Sequence, residues 1–461
     1  MRAVFSQPRE LPNGGLENQA IPTVPGALPL IGHSLALLRD PLAFISALPA
    51  YGDVTTIRIG TLPMVVVCDP LLTRQVLLED STYDKGGPVM DKAAEVIGDG
   101  LITCPHSKHR RQRRLCQAAF HPDRLPEFGA VFERAANEIA RSWHDDQVVD
   151  VDRELMAMTA GTAVLTMFAN TLPETSEQII ADLVTVVEGA FRRMITPPFL
   201  NHFALLGNRR FDQANKRLRS AVADAVARRR ADDAAHSDLL AFLQEAVDST
   251  EHPDSSDRLT DIELVDQITT FFGAGTETTA STVAWALHLL ARHPEIQDRL
   301  HQEIQDVLAG ELMTFERLTD MEMASHVINE TLRLYPPAWL LTRTATKGTS
   351  LGGFRIPAGT TLAYSPYIIH RRPDLYDDPD RFDPQRWRNT KPDRTAFIPF
   401  SAGARKCIGD RVAITQATIA LIAIVARWRL TPLPGQSLEP AVKATLTPRH
   451  LRLRVTARRS R

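Results

Sequence analysis

The chain has 461 residues, 44% of them hydrophobic and 23% charged, and its 53 Lys and Arg stand against 55 Asp and Glu for a net charge of -2. That composition excludes disorder over most of the length, and the balanced charge makes no case for nucleic acid or an anionic membrane as partner. The four cysteines, Cys68, Cys104, Cys116 and Cys407, are too few for a disulfide framework in a chain this long, and the lack of a CxxC pair leaves a zinc or dithiol site weak.

Residues 1–20 are polar and aperiodic and are expected to form a loose tail ahead of a single domain over 21–461. The N-terminus lacks an apolar signal core. The longest apolar stretch, near Ala417–Ala426, falls far short of the about 20 residues that span a bilayer. A cytoplasmic protein with no membrane span is therefore expected. PGALPLIGH reads as a loop docked by its Leu and Ile. Asp53–Cys68 alternates, turns at Gly60 to Pro63 and continues β-branched, as a hairpin does. From about residue 71 to 335 the pattern is mostly helical, with the Ala-Arg-Asp-rich 221–236 as a solvated helix face and HPDSSD at 252–257 as a surface loop. Strand signals return at Leu351–Tyr364, and a final apolar helix follows Gly409. The two β regions are expected to pair into one small sheet beside a large helical mass.

One helix stands out. Thr260-Asp261-Ile262-Glu263 is a capping box and Pro294 closes the segment. Its middle reads Phe271-Phe272-Gly273-Ala274-Gly275-Thr276-Glu277-Thr278-Thr279. Each mid-helix glycine costs about 1 kcal/mol, and the hydroxyl run competes for backbone carbonyls. A functional distortion is expected there, with close helix packing on glycine as the alternative. A dinucleotide site is excluded, because position 278 is Thr and no strand precedes.

The strongest signal is Phe400-Ser401-Ala402-Gly403-Ala404-Arg405-Lys406-Cys407-Ile408-Gly409. A thiolate ligand needs backbone N–H groups turned to the sulfur and the positive end of a helix nearby. Gly403 and Gly409 would allow that tight loop, the following helix supplies the dipole, and Arg405 is placed to compensate an anionic cofactor edge. Cys68, Cys104 and Cys116 read instead as buried small hydrophobes.

Phe400, Gly403, Arg405, Cys407 and Gly409 fill the pattern FxxGxRxCxG, and with it the sequence resembles the cytochrome P450 family of haem-thiolate monooxygenases. The resemblance implies a mainly α fold with a small β region and a long central helix over haem b. It makes Cys407 the axial ligand of the iron and O2 the co-substrate. Glu330-Thr331-Leu332-Arg333 matches the family's ExxR pair, joined by Arg386 of Phe382–Trp387; these three would be structural. Ala274, Gly275, Glu277 and Thr278 match the oxygen-activation stretch, with Thr278 and Glu277 as a proton relay and small residues leaving room. His109, Arg113, Arg343 and Arg405 would contact the haem propionates. Arg110, Arg111 and Arg114, with Lys406, would stay outside as a docking surface for an acidic ferredoxin fed by its reductase.

The same resemblance places Val89, Met90, Phe191, Met194, Ile195, Thr270, Gly273, Ala338, Trp339, Leu340 and Leu341 around the substrate. All but Thr270 are apolar, which implies an uncharged hydrocarbon-like molecule. The stretches YDKGGP, HRRQRRL, FRRM with NRRF, YPPAWLLTR and YSPY are similar to actinobacterial sesquiterpene oxidases of antibiotic biosynthesis. They imply oxidation of an allylic methyl of a pentalenene-like terpene to alcohol or aldehyde. The alternatives are hydroxylation of a fatty acid or macrolide, a haem-thiolate isomerase, dehydratase or peroxygenase, and a non-catalytic haem sensor. The Glu277–Thr278 pair argues against the isomerase group, and no residues remain for a sensor's output module.

Overall fold

The computed structural model describes residues 20–169, 176–195, 208–232, 236–247, 258–388, 393–436 and 438–458. It is mainly helical with small sheets. The capping box forms: Glu263 N–H donates to Thr260 Oγ1 at 3.3 Å, and Thr260 N–H donates to the Glu263 carboxylate at 2.9 Å. The helix it starts runs 32 residues, Asp261–Arg292, and spans about 48 Å at 1.5 Å per residue. It packs against Val151–Phe168, Asn208–Arg230 and Asp410–Arg427. Enclosed on all sides, it buries nearly every side chain from Val283 to Ala291.

The expected distortion at its centre is not seen. The helix stays continuous, and the Thr276 and Thr278 hydroxyls donate to the Phe272 and Ala274 carbonyls at 2.8 and 2.6 Å. Close packing is not the reason for the glycines. A Cβ at Gly273 or Gly275 would meet nothing within 4 Å, so both border open space.

The two β regions do pair. A five-stranded sheet has the order Val54–Ile59, Leu62–Val67, Thr361–Tyr364, Leu341–Ala345, Tyr83–Asp84. Its parallel register sets Val65, Val66 and Val67 against Leu362, Ala363 and Tyr364. The hairpin turn is tighter than Gly60 to Pro63: Ile59 pairs Leu62, and Pro63 lies within the strand opposite Arg58. Proline is tolerated there because the third strand begins only at Val65, so no ladder bond is lost.

Two expectations are corrected. The PGALPLIGH loop is not docked by its apolar residues: Leu28, Leu30 and Ile31 are 47%, 82% and 45% exposed. Gly32, at φ +58, brings its backbone so close to Arg58 that a Cβ would lie 2.5 Å from that carbonyl oxygen. That turn sends His33 inward instead, where its ring bonds the Val24 carbonyl and the Arg58 N–H at 3.1 and 2.9 Å. The 221–236 stretch is not simply solvated. Helix Asn208–Arg230 buries Val222, Ala225 and Val226, and Arg229 forms a buried pair with Asp238 at 2.6 Å. HPDSSD, most of the 1–20 tail and 233–235 lie outside the described residues.

Cys68, Cys104 and Cys116 are fully buried. Burial pushes the Cys68 and Cys104 thiols up to about 12 and about 11, so both stay neutral. Among the described residues no helix is long and apolar enough to cross a membrane.

Candidate functional site

A cavity of about 940 Å³ opens between the long helix and the Phe400–Gly409 loop, at the upper end of the range for small-molecule sites. The loop contributes Phe400, Arg405, Cys407 and Gly409 to its wall, and the long helix contributes Thr270, Gly273, Ala274, Gly275, Glu277 and Thr278. His109 and Arg113 enter from the basic helix His106–Gln117, and Ala338, Trp339, Leu340 and Leu341 from the stretch after the ExxR helix. Met90 completes the sequence-predicted wall. The side chains of Val89, Phe191, Met194 and Ile195 lie outside the described residues. Gly403 and Arg343 do not line it: the first turns the loop against the Leu77 carbonyl, and the second lies buried in strand Leu341–Ala345.

The loop owes its shape to two left-handed residues, Ser401 at φ +61 and Gly403 at φ +70. A Cβ on Gly403 would lie 2.1 Å from the Leu77 carbonyl oxygen. Gly409 differs from expectation: its φ of -96 is open to any residue, and it is its N–H, bonded to the Cys407 sulfur, that matters. Cys407 N–H in turn donates to the Phe400 carbonyl at 3.0 Å. The sulfur is open to the cavity but walled by protein, and that burial pushes its thiol up despite Arg113 and Lys406 nearby. It ionises only against a bound cation. Gly403→Ala is expected to cost about 1–3 kcal/mol in backbone strain alone. Because the Leu77 carbonyl cannot retreat, cofactor occupancy falls with it, read as the ratio of Soret to protein absorbance.

Around the loop gathers a cationic cluster. Arg405 donates to the Cys104 carbonyl at 2.8 Å and to Asp84 at 2.5 Å. Arg343, 1% exposed, reaches the Thr342 carbonyl at 2.9 Å. Arg113 donates to the Lys406 carbonyl at 2.5 Å. Lys85, which nothing in YDKGGP singles out, also lines the cavity. Its ammonium is held well below its ordinary value by burial, then by Arg343 and Arg405. His109 is lowered to about 3, by burial first and then by Arg405, Arg113 and Lys85. His109 Nδ1, Arg343 Nε and Arg405 Nε are buried without a hydrogen-bond partner. Arg405 already pairs with Asp84, but the orphaned nitrogens of this buried basic cluster are costly and call for anionic groups, and the two carboxylates of a haem fit it. The donor set agrees. Among the described residues no three His, Cys, Asp or Glu gather to hold a bare ion. A metal above Cys407 therefore has to bring its other ligands, as a porphyrin does.

Of the residues expected to form an outward basic face, Arg110 and Arg114 are exposed. Arg111 is corrected: it donates to Glu263 at 2.7 Å and to the Arg258 carbonyl at 2.6 Å. It clamps the basic helix to the start of the long helix, a use that local sequence cannot reveal.

The ExxR pair is fully buried. Arg333 Nε and Nη2 donate to the two Glu330 oxygens, both at 2.8 Å, and Arg386 Nε donates to Glu330 at 3.0 Å. Trp387 Nε1 and the Asp383 N–H add bonds at 3.0 Å each. Arg333 Nη1 reaches the His370 and Pro379 carbonyls at 2.9 and 2.6 Å. A carboxylate with this many donors and a guanidinium with this many acceptors offset their desolvation.

On the opposite wall Glu277 is 7% exposed. Burial raises its carboxyl, while the Thr445 hydroxyl and the Lys443 ammonium act the other way. Thr278, half-buried, lies one turn from Ala274 on the same face. Sequence reasoning missed Lys443 and Thr445, since both sit in a hairpin tip far along the chain. That tip is fixed by Trp339 Nε1 donating to the Lys443 carbonyl at 2.9 Å, and by Ser281 and Trp285 donating to the Leu446 carbonyl at 2.6 and 3.0 Å.

Residues 22–454 match the family model for Cytochrome P450. The chain is 41% identical over 441 residues to a pentalenene oxygenase of Streptomyces avermitilis, covering 95% of this chain and 97% of that one. It is 42% identical over 421 residues to a cyclooctat-9-en-7-ol 5-monooxygenase of Streptomyces melanosporofaciens, covering 90% and 91%. A cyclooctatin synthase of the same organism is 41% identical over 435 residues, covering 93% and 94%. The crystal structure of a cytochrome P450DA heme domain superposes with a TM-score of 0.84 at 24% identity, covering 95% of this chain and 98% of that one, a likeness of fold.

Proposed function

Since this chain belongs to the cytochrome P450 family and is a haem-thiolate monooxygenase that uses O2, we propose that it oxidises an apolar cyclic sesquiterpene of the pentalenene kind, at an allylic methyl, in antibiotic or terpenoid biosynthesis. The observation that carries the substrate class is the wall: long-helix and loop residues face a large cavity whose remaining lining is dominated by Leu, Val, Ile, Met and Phe. Of the three Streptomyces relatives, the pentalenene oxygenase supports it by its name. The haem, when bound, supplies the activation of O2.

The chain's own residues then divide the work. Cys407 would hold the iron through its sulfur, with the Gly409 N–H and the positive end of helix Asp410–Arg427 steadying the thiolate. Arg343, Arg405, His109, Arg113 and Lys85 would hold the propionates, whose carboxylates would answer the orphaned nitrogens of His109, Arg343 and Arg405. Glu277 carries a proton into the cavity. Its raised carboxyl stays protonated to higher pH than an exposed glutamate. Thr278, its own hydrogen committed to the Ala274 carbonyl, presents oxygen lone pairs to the cavity and orients the proton carrier. Apolar side chains hold the terpene by burial and keep bulk water away. Electrons come from an acidic ferredoxin and its reductase in the cytoplasm, docking on the exposed Arg110, Arg114 and Lys406.

A second reading is favoured by one observation. Thr166 and Thr270 line the cavity with hydroxyls that are buried and unpartnered. A terpenoid already bearing an oxygen would satisfy one of them. Incubation with a surrogate ferredoxin system and a panel of cyclic terpenes and terpene alcohols, read by mass spectrometry, separates the two. Oxidation of fatty acids or macrolides with every terpene untouched would overturn both.

Thr278→Ala is expected to lower product formed per NADPH consumed, on the order of 10²-fold, as for a lost proton-transfer group. Terpene binding, read from the spectral shift on titration, stays within a few fold because Thr278 gives one hydroxyl and one methyl to a wall built mostly of other apolar side chains. Full retention of coupling would remove the relay.

A further inference from the structure

His370 lies outside the cavity and belongs to no motif, yet it is fully buried and bonded at three points. Its backbone carbonyl accepts from Arg333 Nη1 at 2.9 Å. Its ring Nδ1 bonds the Arg333 carbonyl at 3.1 Å. Its Nε2 accepts the Ile398 N–H at 2.9 Å. Since an N–H points at Nε2, that nitrogen is the acceptor and the ring proton sits on Nδ1, donating to the Arg333 carbonyl. The ring remains neutral at any working pH, its value lowered to about 3 by burial.

Ile398 is where the chain turns into the cysteine loop. Its carbonyl accepts the Ser401 N–H at 3.0 Å, and the Phe400 carbonyl accepts the Cys407 N–H at 3.0 Å. The preceding residue, Phe397, is gripped between two rings, His370 at 5.4 Å and Trp387 at 4.7 Å. Trp387 is bonded to Glu330. Glu330 therefore reaches the entrance of the loop through Trp387, and Arg333 through His370 and through Tyr376, whose hydroxyl donates to the Ala396 carbonyl at 2.8 Å; among the described residues, of these three rings only His370 ends on a backbone N–H there.

We propose that His370 is a positioning residue that transmits the location of the buried Glu330–Arg333 pair to the Cys407 loop, through Nδ1 to the Arg333 carbonyl and Nε2 to the Ile398 N–H. It sets the distance at which the sulfur meets its metal and touches neither substrate nor cofactor. The inference rests on the reading of Cys407 as the haem ligand.

The two ring bonds are separable. In His370→Gln the longer amide brings an acceptor oxygen near the place of Nε2 and keeps the hold on Ile398. In His370→Asn the shorter amide brings a donor near the place of Nδ1 and releases Ile398. Both are measured as holoprotein, by the Soret position of the reduced carbon-monoxide adduct and by the haem reduction potential. Leu453→Ala, in a remote strand, serves as a destabilised control.

The fraction of adduct lacking the far-red-displaced Soret band is expected to rise about fivefold to tenfold in the Asn variant, the shift one buried hydrogen bond can produce. It stays near the wild-type fraction in the Gln variant and the control. Equal behaviour of Asn and Gln, or a change that merely follows melting temperature, overturns the proposal. If the Asn variant does not accumulate, the Gln variant decides: retention of the displaced band and potential supports the role, and their loss rejects it. Absence of the displaced band in the wild type would instead sink the Cys407 reading.

Discussion

Cys407→Ala is expected to abolish terpene oxidation, by at least about 10³-fold, while leaving the chain folded. The loss follows from the donor set. Cys407 is the sulfur that both lines the cavity and receives an N–H from Gly409. Cys104 lies behind the Arg405 guanidinium and Cys116 is fully buried. Without a thiolate the iron loses the electron push that favours O–O cleavage. Little stability is at stake, because the sulfur faces open space rather than close neighbours. Product yield and the reduced carbon-monoxide spectrum are the checks. A variant that kept the displaced Soret band would show that another residue holds the iron.

Glu330→Gln is expected to have the opposite profile, destroying the fold before it touches chemistry. Arg333 is 0% exposed, and its one carboxylate partner is Glu330. Removing one half of such a pair leaves an uncompensated buried charge, a loss of about 3–5 kcal/mol. Arg386 loses the same partner. A urea midpoint for the holoprotein measures the effect. Asp146→Asn, which breaks the exposed Arg454–Asp146 pair, supplies the contrast, at under about 1 kcal/mol. Comparable losses in the two variants would mean that the buried pair is not the keystone of the helical mass.

What the sequence made legible was local. A capping box, a cysteine flanked by glycines and an i, i+3 acid–base pair are each specified within ten residues, and the backbone obeys them. That the two β regions join in one sheet was legible too, since strands with a buried face must find a partner; that Val65–Val67 run parallel to Leu362–Tyr364 was not. The reading failed where a side chain takes its meaning from a distant one. Arg111 looks like its neighbours until Glu263 arrives from 152 positions away. Lys85 acquires its role from Arg343 and Arg405, and His370 from Ile398. The PGALPLIGH loop failed through its backbone, since the turn forced at Gly32 decides which side chains go in.

The crowd of positive groups under the Cys407 loop has a consequence for how the enzyme is made in the cell. A freshly synthesised chain that closes this corner alone gathers Arg113, Arg343 and Arg405 without the carboxylates of the prosthetic group, so binding that group stabilises the corner. Stability then scales with the supply of that group, by mass action. A cell short of porphyrin or iron would accumulate a partly open precursor, exposed to proteolysis, rather than a reserve of finished but empty enzyme.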